Sequence, residues 1–161
     1  MSGTSGPEPP RSREAFERAV EVLSHKERTA AELGAWLAGR GFEPAEIEPA
    51  VELLVETGGL DDERFARQFA SDKRELRGWG PERIRAALAG RGLDRATIDA
   101  AVTEDGQDSQ LRRALELLDG RSEVPTDERS RARALAFLAR RGYDSELAYE
   151  AVRAHERLRA A

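Results

Sequence analysis

At 161 residues, with 39% hydrophobic and 35% charged positions and a formal charge of -5, the chain fits one or two ordinary domains. It has no cysteine, which excludes a disulfide framework, a thiolate metal site and a cysteine nucleophile. No apolar run approaches the roughly 20 residues that cross a bilayer, so no membrane association is expected and the cytoplasm is the expected location.

Aromatics make up only 6% of the chain, while Ala, Leu, Arg and Glu, which lose little side-chain freedom in a helix, are abundant; the expected class is all-α. The opening MSGTSGPEPPRSR is rich in Ser, Gly and Pro and reads as a disordered tail over residues 1–13. Apolar periodicity then predicts helices over 13–24, 29–39 and 44–57, followed by 61–76, 81–90 and 94–104, and finally 108–119, 126–140 and 144–159. Three tandem three-helix, helix-turn-helix-like repeats follow, over 14–57, 60–104 and 108–159, stacked into an elongated, curved body expected to be monomeric.

The repetition is visible in LAGRGF (Leu37–Phe42), LAGRGL (Leu88–Leu93) and LARRGY (Leu138–Tyr143). Gly41, Gly92 and Gly142 recur at spacings of 51 and 50 residues. Each glycine suits the left-handed conformation that ends a helix. An apolar residue follows it (Phe42, Leu93, Tyr143), then an acidic one at the expected N-cap of the next helix (Glu43, Asp94, Asp144).

Charge is segregated along the chain. Residues 42–63 hold eight acidic side chains and no Lys or Arg, whereas residues 64–95 hold nine Lys and Arg against four Asp and Glu. Such blocks form solvated helix faces or steer a complementary partner. Within KRELRGWGPERIRAAL (Lys73–Leu88), Pro81 suits a helix start, Gly78 and Gly80 permit a turn around Trp79, and Arg83 and Arg85 flank the inward Ile84. Trp79 reads either as a ring closing a joint between repeats or as an interface anchor. Phe65, Phe69, Asp72 and Leu76 share a stripe, so Asp72 is expected to accept hydrogen bonds from Arg or the 77–80 loop. His25 and His155 belong to no catalytic spacing and read as solvated. No phosphate loop, dinucleotide fingerprint or metal-ligand pattern occurs, so neither enzymatic activity nor a cofactor is expected.

Taken in order, LSHKERTAAELGAWLAGRGF (Leu23–Phe42), GGLDDERFARQF (Gly58–Phe69), RGWGPERIRAALAGRGL (Arg77–Leu93) and ALAFLARRGYDSELAYEAV (Ala134–Val152) resemble the RecX family of bacterial regulatory proteins. The resemblance implies a non-enzymatic modulator that binds the RecA nucleoprotein filament along its groove and suppresses its ATPase, strand-exchange and coprotease activities in DNA repair and the SOS response. Candidate contacts carried onto the matching motifs are Lys73, Arg74, Arg77, Trp79, Arg83 and Arg85, with Arg131, Arg133, Arg140 and Arg141 in the third repeat. The acidic net charge implies only weak contact with single- or double-stranded DNA. The alternative is a helix-turn-helix-like nucleic-acid-binding regulator, but the third helix of the first repeat is acidic where a recognition helix needs basic residues. A general helical interaction scaffold also fits the repeats.

Overall fold

The computed structural model describes residues 10–161. Within them the chain forms nine helices and no strand: α1 (Pro10–His25), α2 (Ala30–Gly39), α3 (Pro44–Glu56), α4 (Asp62–Arg77), α5 (Pro81–Gly90), α6 (Arg95–Thr103), α7 (Gln107–Asp119), α8 (Glu128–Arg141) and α9 (Ser145–Ala160). The all-α class and the grouping in threes match the sequence pattern. The tail is corrected. Residues 10–13, expected to be disordered, are the first turn of α1, because Pro10 suits a helix start, Ser12 is buried and Arg11 pairs with Glu46 at 3.1 Å. The remainder of the expected tail, residues 1–9, lies outside the described residues.

Two compact units are present. The first comprises the described residues up to Phe65 together with Arg91–Leu93; the second comprises Ala66–Gly90 and Asp94–Ala161. In the first, Ala15 and Ala19 of α1, Leu33 and Leu37 of α2, and Ala50 and Leu54 of α3 form the core with Phe42 and Leu60. Small residues on α1 let the helix approach closely, so the larger leucines of α2 and α3 fill the remaining space. In the second, α7, α8 and α9 enclose Ala114, Leu118, Ala134, Leu138, Leu147 and Val152, while Ala66, Ala70, Ile84, Leu88, Ile98 and Val102 are buried on α4–α6.

The inward face of α4 keeps only the start of the expected stripe: Phe65 is buried and Phe69 half-buried. Ala66 and Ala70 are buried, whereas Leu76 is 78% exposed and Asp72 is exposed, accepting a hydrogen bond from Gln68 Nε2 at 2.8 Å. The sequence pattern follows the large side chains; the packing buries Ala66 and Ala70, about 100° away, beside Phe65, because alanines allow a close helix approach, and leaves the far end of the stripe outside. Asp72 therefore meets no desolvation cost and does not organise the 77–80 loop. His155 corrects a second expectation: it is buried (2% exposed), with Nε2 3.1 Å from Asp119 Oδ1 on α7.

The three Arg-Gly turns are left-handed as expected, with φ of +89° at Gly41, +78° at Gly92 and +97° at Gly142. Asp94 and Asp144 cap α6 and α9, each accepting from a backbone amide at 2.8 Å. Glu43 makes no such bond with its longer side chain; instead its own amide donates to Glu46 Oε1 at 3.1 Å.

What the turns do becomes clear at two places. In the first unit, the hydroxyl of Thr29, the N-cap of α2, donates to the Arg91 carbonyl at 2.7 Å, and Arg91 Nε donates to Glu32 Oε2 at 2.8 Å. Glu32 also closes a capping box with Thr29, and Ala30 N donates to Asp62 Oδ1 at 2.9 Å. In the second unit, Gly80 N and Glu82 N at the start of α5 donate to the carbonyls of Arg141 and Gly142 at 2.7 and 2.9 Å, and the Tyr143 hydroxyl donates to the Gly78 carbonyl at 2.9 Å. Amide groups at a helix start lack intrahelical partners and carry partial positive charge, so a turn that presents bare carbonyls fits there.

Two expectations follow. A Cβ at Gly142 would collide with Arg83 and one at Gly92 would lie 2.7 Å from Ala31 Cβ, whereas Gly41 has nothing within 4 Å. In thermal denaturation, Gly41→Ala should therefore cost about 1 kcal/mol of backbone strain and Gly142→Ala clearly more, with Gly92→Ala between them. The second concerns acid. Burial pushes the Glu32 carboxyl up, but bonds from Arg91 and Thr29 outweigh it and hold it below the usual glutamate range. A depressed carboxyl contributes stability above its unfolded pKa and loses it as pH falls through the folded value, so Glu32→Gln should flatten the loss of stability below about pH 4.5 in acid titrations followed by circular dichroism.

Candidate partner-binding site

The loop between α4 and α5 organises the most distinctive surface of the second unit. Trp79 is half-buried, its ring meeting Phe69 edge-on at 6.5 Å and 69°. Lys73 Nζ lies 4.8 Å and Arg83 Cζ 4.2 Å from the indole centroid, so two cations contact one aromatic ring. Arg83 Nη1 also donates to the Arg140 carbonyl at 3.4 Å, and Arg141 Nη1 to the Arg77 carbonyl at 3.1 Å. Backbone at Gly80 and Glu82 bonds across the joint, and the half-buried indole sits beside it.

The sequence candidates divide into two groups. Lys73, Arg77, Trp79, Arg83, Arg140 and Arg141 gather around this loop, and none of these cations forms a salt bridge with a carboxylate among the described residues. The others are engaged elsewhere. Arg85 pairs with Asp99, Arg131 with Glu156 and Arg133 with Glu123. The Arg133 guanidinium holds the Glu123 carboxyl below its ordinary range.

Arg74 points inward. Its side chain is 11% exposed, and Nη2 donates to the Ala101 carbonyl at 2.7 Å, satisfying the end of α6. Its Nε lies 3.7 Å from Asp105, whose side chain is 5% exposed and also receives Arg113 through both guanidinium nitrogens, one at 3.0 Å. Burial works against the charge on Arg113, but the Asp105 bonds outweigh it and raise the pKa; burial pushes the Tyr143 phenol up, with Arg113 opposing. This cluster ties α4, α6 and α7 together and is structural.

Sequence reasoning missed two features. Beside the buried cluster, a cleft of about 840 Å³ is walled by Arg77, Arg112, Arg141 and Leu117. Arg112 was legible as the outward residue of the α7 pattern Leu111, Ala114, Leu118. In the first unit Trp36 lies between Arg40, 4.6 Å from its centroid, and Arg28, at 5.9 Å. The four-residue spacing of Trp36 and Arg40 on one helical face was the available signal.

The described residues include no helix long and apolar enough to cross a membrane. Residues 15–54 match the model of the first three-helix domain of RecX and residues 61–102 that of the second. The Regulatory protein RecX of Halorhodospira halophila is 38% identical over 130 residues, covering 80% of each chain. That of Pseudomonas fluorescens is 39% identical over 132 residues, covering 80% of this chain and 83% of the relative.

The chain belongs to the RecX family.

The fold agrees: the crystal structure of RecX from Lactobacillus salivarius superposes with a TM-score of 0.83 at 16% identity, covering 91% of this chain and 97% of the other. A second RecX crystal structure gives 0.78 at 23% identity, covering 95% and 80%. Membership makes this a regulatory protein of helical repeats.

The buried cluster yields a prediction. Asp105→Ala leaves Arg74 and Arg113 without their shared anion, so this RecX-family chain should lose about 3 kcal/mol in urea denaturation, as expected when one partner of a buried ion pair is removed. Arg85→Ala, which breaks an exposed pair with Asp99, should cost less than about 1 kcal/mol.

Proposed function

We propose that this RecX-family protein binds the RecA nucleoprotein filament as a monomer in the cytoplasm and restrains its ATPase, strand-exchange and coprotease activities without chemistry of its own. The observation that carries the reading is the Trp79 surface: an aromatic ring with two cations within 5 Å of its centroid, and further arginines around it, none in a salt bridge with a carboxylate among the described residues. A half-buried indole supplies apolar contact area at low entropic cost, and the surrounding cations steer toward an acidic partner. Lys73, Arg77, Trp79, Arg83, Arg140 and Arg141 are the proposed contacts. Arg74 is a strut, and Arg85, Arg131 and Arg133 are already engaged with carboxylates.

Contact with DNA is secondary in this reading. The chain carries a net charge of -5, and α3 exposes Glu48, Glu52 and Glu56, which a phosphate backbone would repel. Those carboxylates also argue against α3 as a recognition helix.

The test compares single variants in a RecA filament ATPase assay. Arg83→Glu should weaken inhibition by about tenfold or more, because an attractive contact beside Trp79 becomes repulsive, whereas Arg85→Glu should change it less than about threefold. Helicity should be unchanged in both. Equal inhibition by Arg83→Glu and the parent protein would remove the site. Tighter binding to bare single-stranded DNA than to the filament would transfer the function to nucleic-acid binding.

A further inference from the structure

The Arg-Gly turn occurs three times, and two copies are seated on a helix N-terminus. In the first unit the Arg91 carbonyl receives the Thr29 hydroxyl, and in the second the carbonyls of Arg141 and Gly142 receive Gly80 N and Glu82 N. The third copy, Arg40–Gly41–Phe42, has the same left-handed glycine and the same LAGRG sequence as the Gly92 copy, yet no described residue lies within 4 Å of where a Gly41 Cβ would project. The equivalent point on Gly92 touches Ala31, and on Gly142 it is filled by Arg83. Among the described residues the Arg40 carbonyl accepts no hydrogen bond, and that of Gly41 accepts only Arg11 Nη2, at 3.3 Å.

We infer that the Arg40–Gly41–Phe42 turn is an interaction surface for the N-terminus of a helix from another protein, one that begins with a Ser or Thr N-cap and carries Glu three residues later. The first unit supplies the template. There the docked helix starts Thr29-Ala30-Ala31-Glu32; its hydroxyl bonds the turn carbonyl, its second residue beyond the cap packs on the glycine, and its glutamate pairs with the turn arginine, Arg91. Arg40 occupies the place of Arg91. It is exposed, rests on Trp36 at 4.6 Å and has no carboxylate partner among the described residues, and Arg18 lines the same small cleft beside the turn. The site thus pairs the free Arg40 carbonyl with Arg11, Arg18 and Arg40 against one carboxylate, Glu14, a balance that suits a helix start whose amides and hydroxyl donate and whose first turn is acidic.

A second copy of the chain does not meet this description. The N-caps of α3, α6, α7, α8 and α9 are Glu43, Asp94, Gly106, Asp127 and Asp144, none a Ser or Thr, and at α8, the counterpart of α2 and α5, Asp127 Oδ1 already accepts from Ser130 N and Ser130 Oγ, both at 2.7 Å. A carbonyl arriving there would meet a carboxylate instead of a hydroxyl. The inference is independent of whether the filament is the partner of the Trp79 surface.

The test uses the full chain, labelled with nitrogen-15, titrated with a synthetic helical peptide whose first turn reads Thr-Ala-Ala-Glu and with a control peptide beginning Ala-Ala-Ala-Lys. Amide shifts should concentrate at Arg40–Phe42 with the first peptide only. Arg40→Glu, which leaves Gly41 and the core untouched, should weaken that binding by about fivefold or more, and a Thr-Ala-Ala-Lys peptide should recover it. Absence of shifts at the turn, equal binding of the control, or indifference to Arg40→Glu would overturn the proposal. Nuclear Overhauser contacts from residues 1–9 to Gly41 in the free protein would also overturn it, assigning the turn to the chain's own N-terminal segment.

Discussion

A carbonyl that finds a helix N-terminus is the contact on which each unit depends. A left-handed glycine reverses the chain within two residues, so the preceding arginine's carbonyl faces outward unpaired. Elsewhere such a group would need water. Here it meets amides or a hydroxyl that the start of another helix has left without partners, and two deficits cancel. Because the bonding groups are backbone or a short hydroxyl, the elements must come very close. That constraint explains why Gly80 and Gly142 face one another without side chains between them and why Ala31 stands over Gly92.

Much of the fold could be read from the sequence because helix ends are local events. Gly92, Asp94 and the apolar residue between them specify a stop, a reversal and a start within a few positions, and Gly142 with Asp144 does the same. Which side of a helix faces inward is a different kind of question. On α4 the expected stripe of Phe65, Phe69 and Leu76 goes inward only at its start, and Ala66 and Ala70 share the buried face with Phe65, an outcome set by how closely the neighbouring helices approach. Leu76 is left outside as a consequence. His155 illustrates the same limit, since its burial depends on Asp119, 36 residues earlier in the chain.

The candidate site divides along similar lines. Lys73, Trp79 and Arg83 fall within eleven consecutive positions, and a turn bounded by Gly78 and Pro81 leaves few ways to arrange them, so their association was legible. Arg74 lies next to Lys73 in sequence and has an entirely different role, because Asp105 and the open carbonyls of α6 draw it inward. Nothing local distinguishes the two cations. The carboxylates that occupy Arg131 and Arg133 lie 25 and 10 residues away, again beyond the reach of helical periodicity.

The arginines therefore sort by what satisfies them, and the sorting bears on function more directly than the net charge does. Those bonded to a buried carboxylate or a helix end fix the packing, and changing them is expected to register as stability. Those resting on an aromatic ring without a salt bridge to a carboxylate among the described residues, such as Arg83 on Trp79 and Arg40 on Trp36, are held against the ring while N–H groups remain for a partner. An arginine positioned in this way gives up little conformational entropy when a partner arrives, since stacking has already restricted the side chain. An acidic chain can in this way retain cationic contacts for an acidic partner: its carboxylates need only lie elsewhere, as they do along the exposed face of α3.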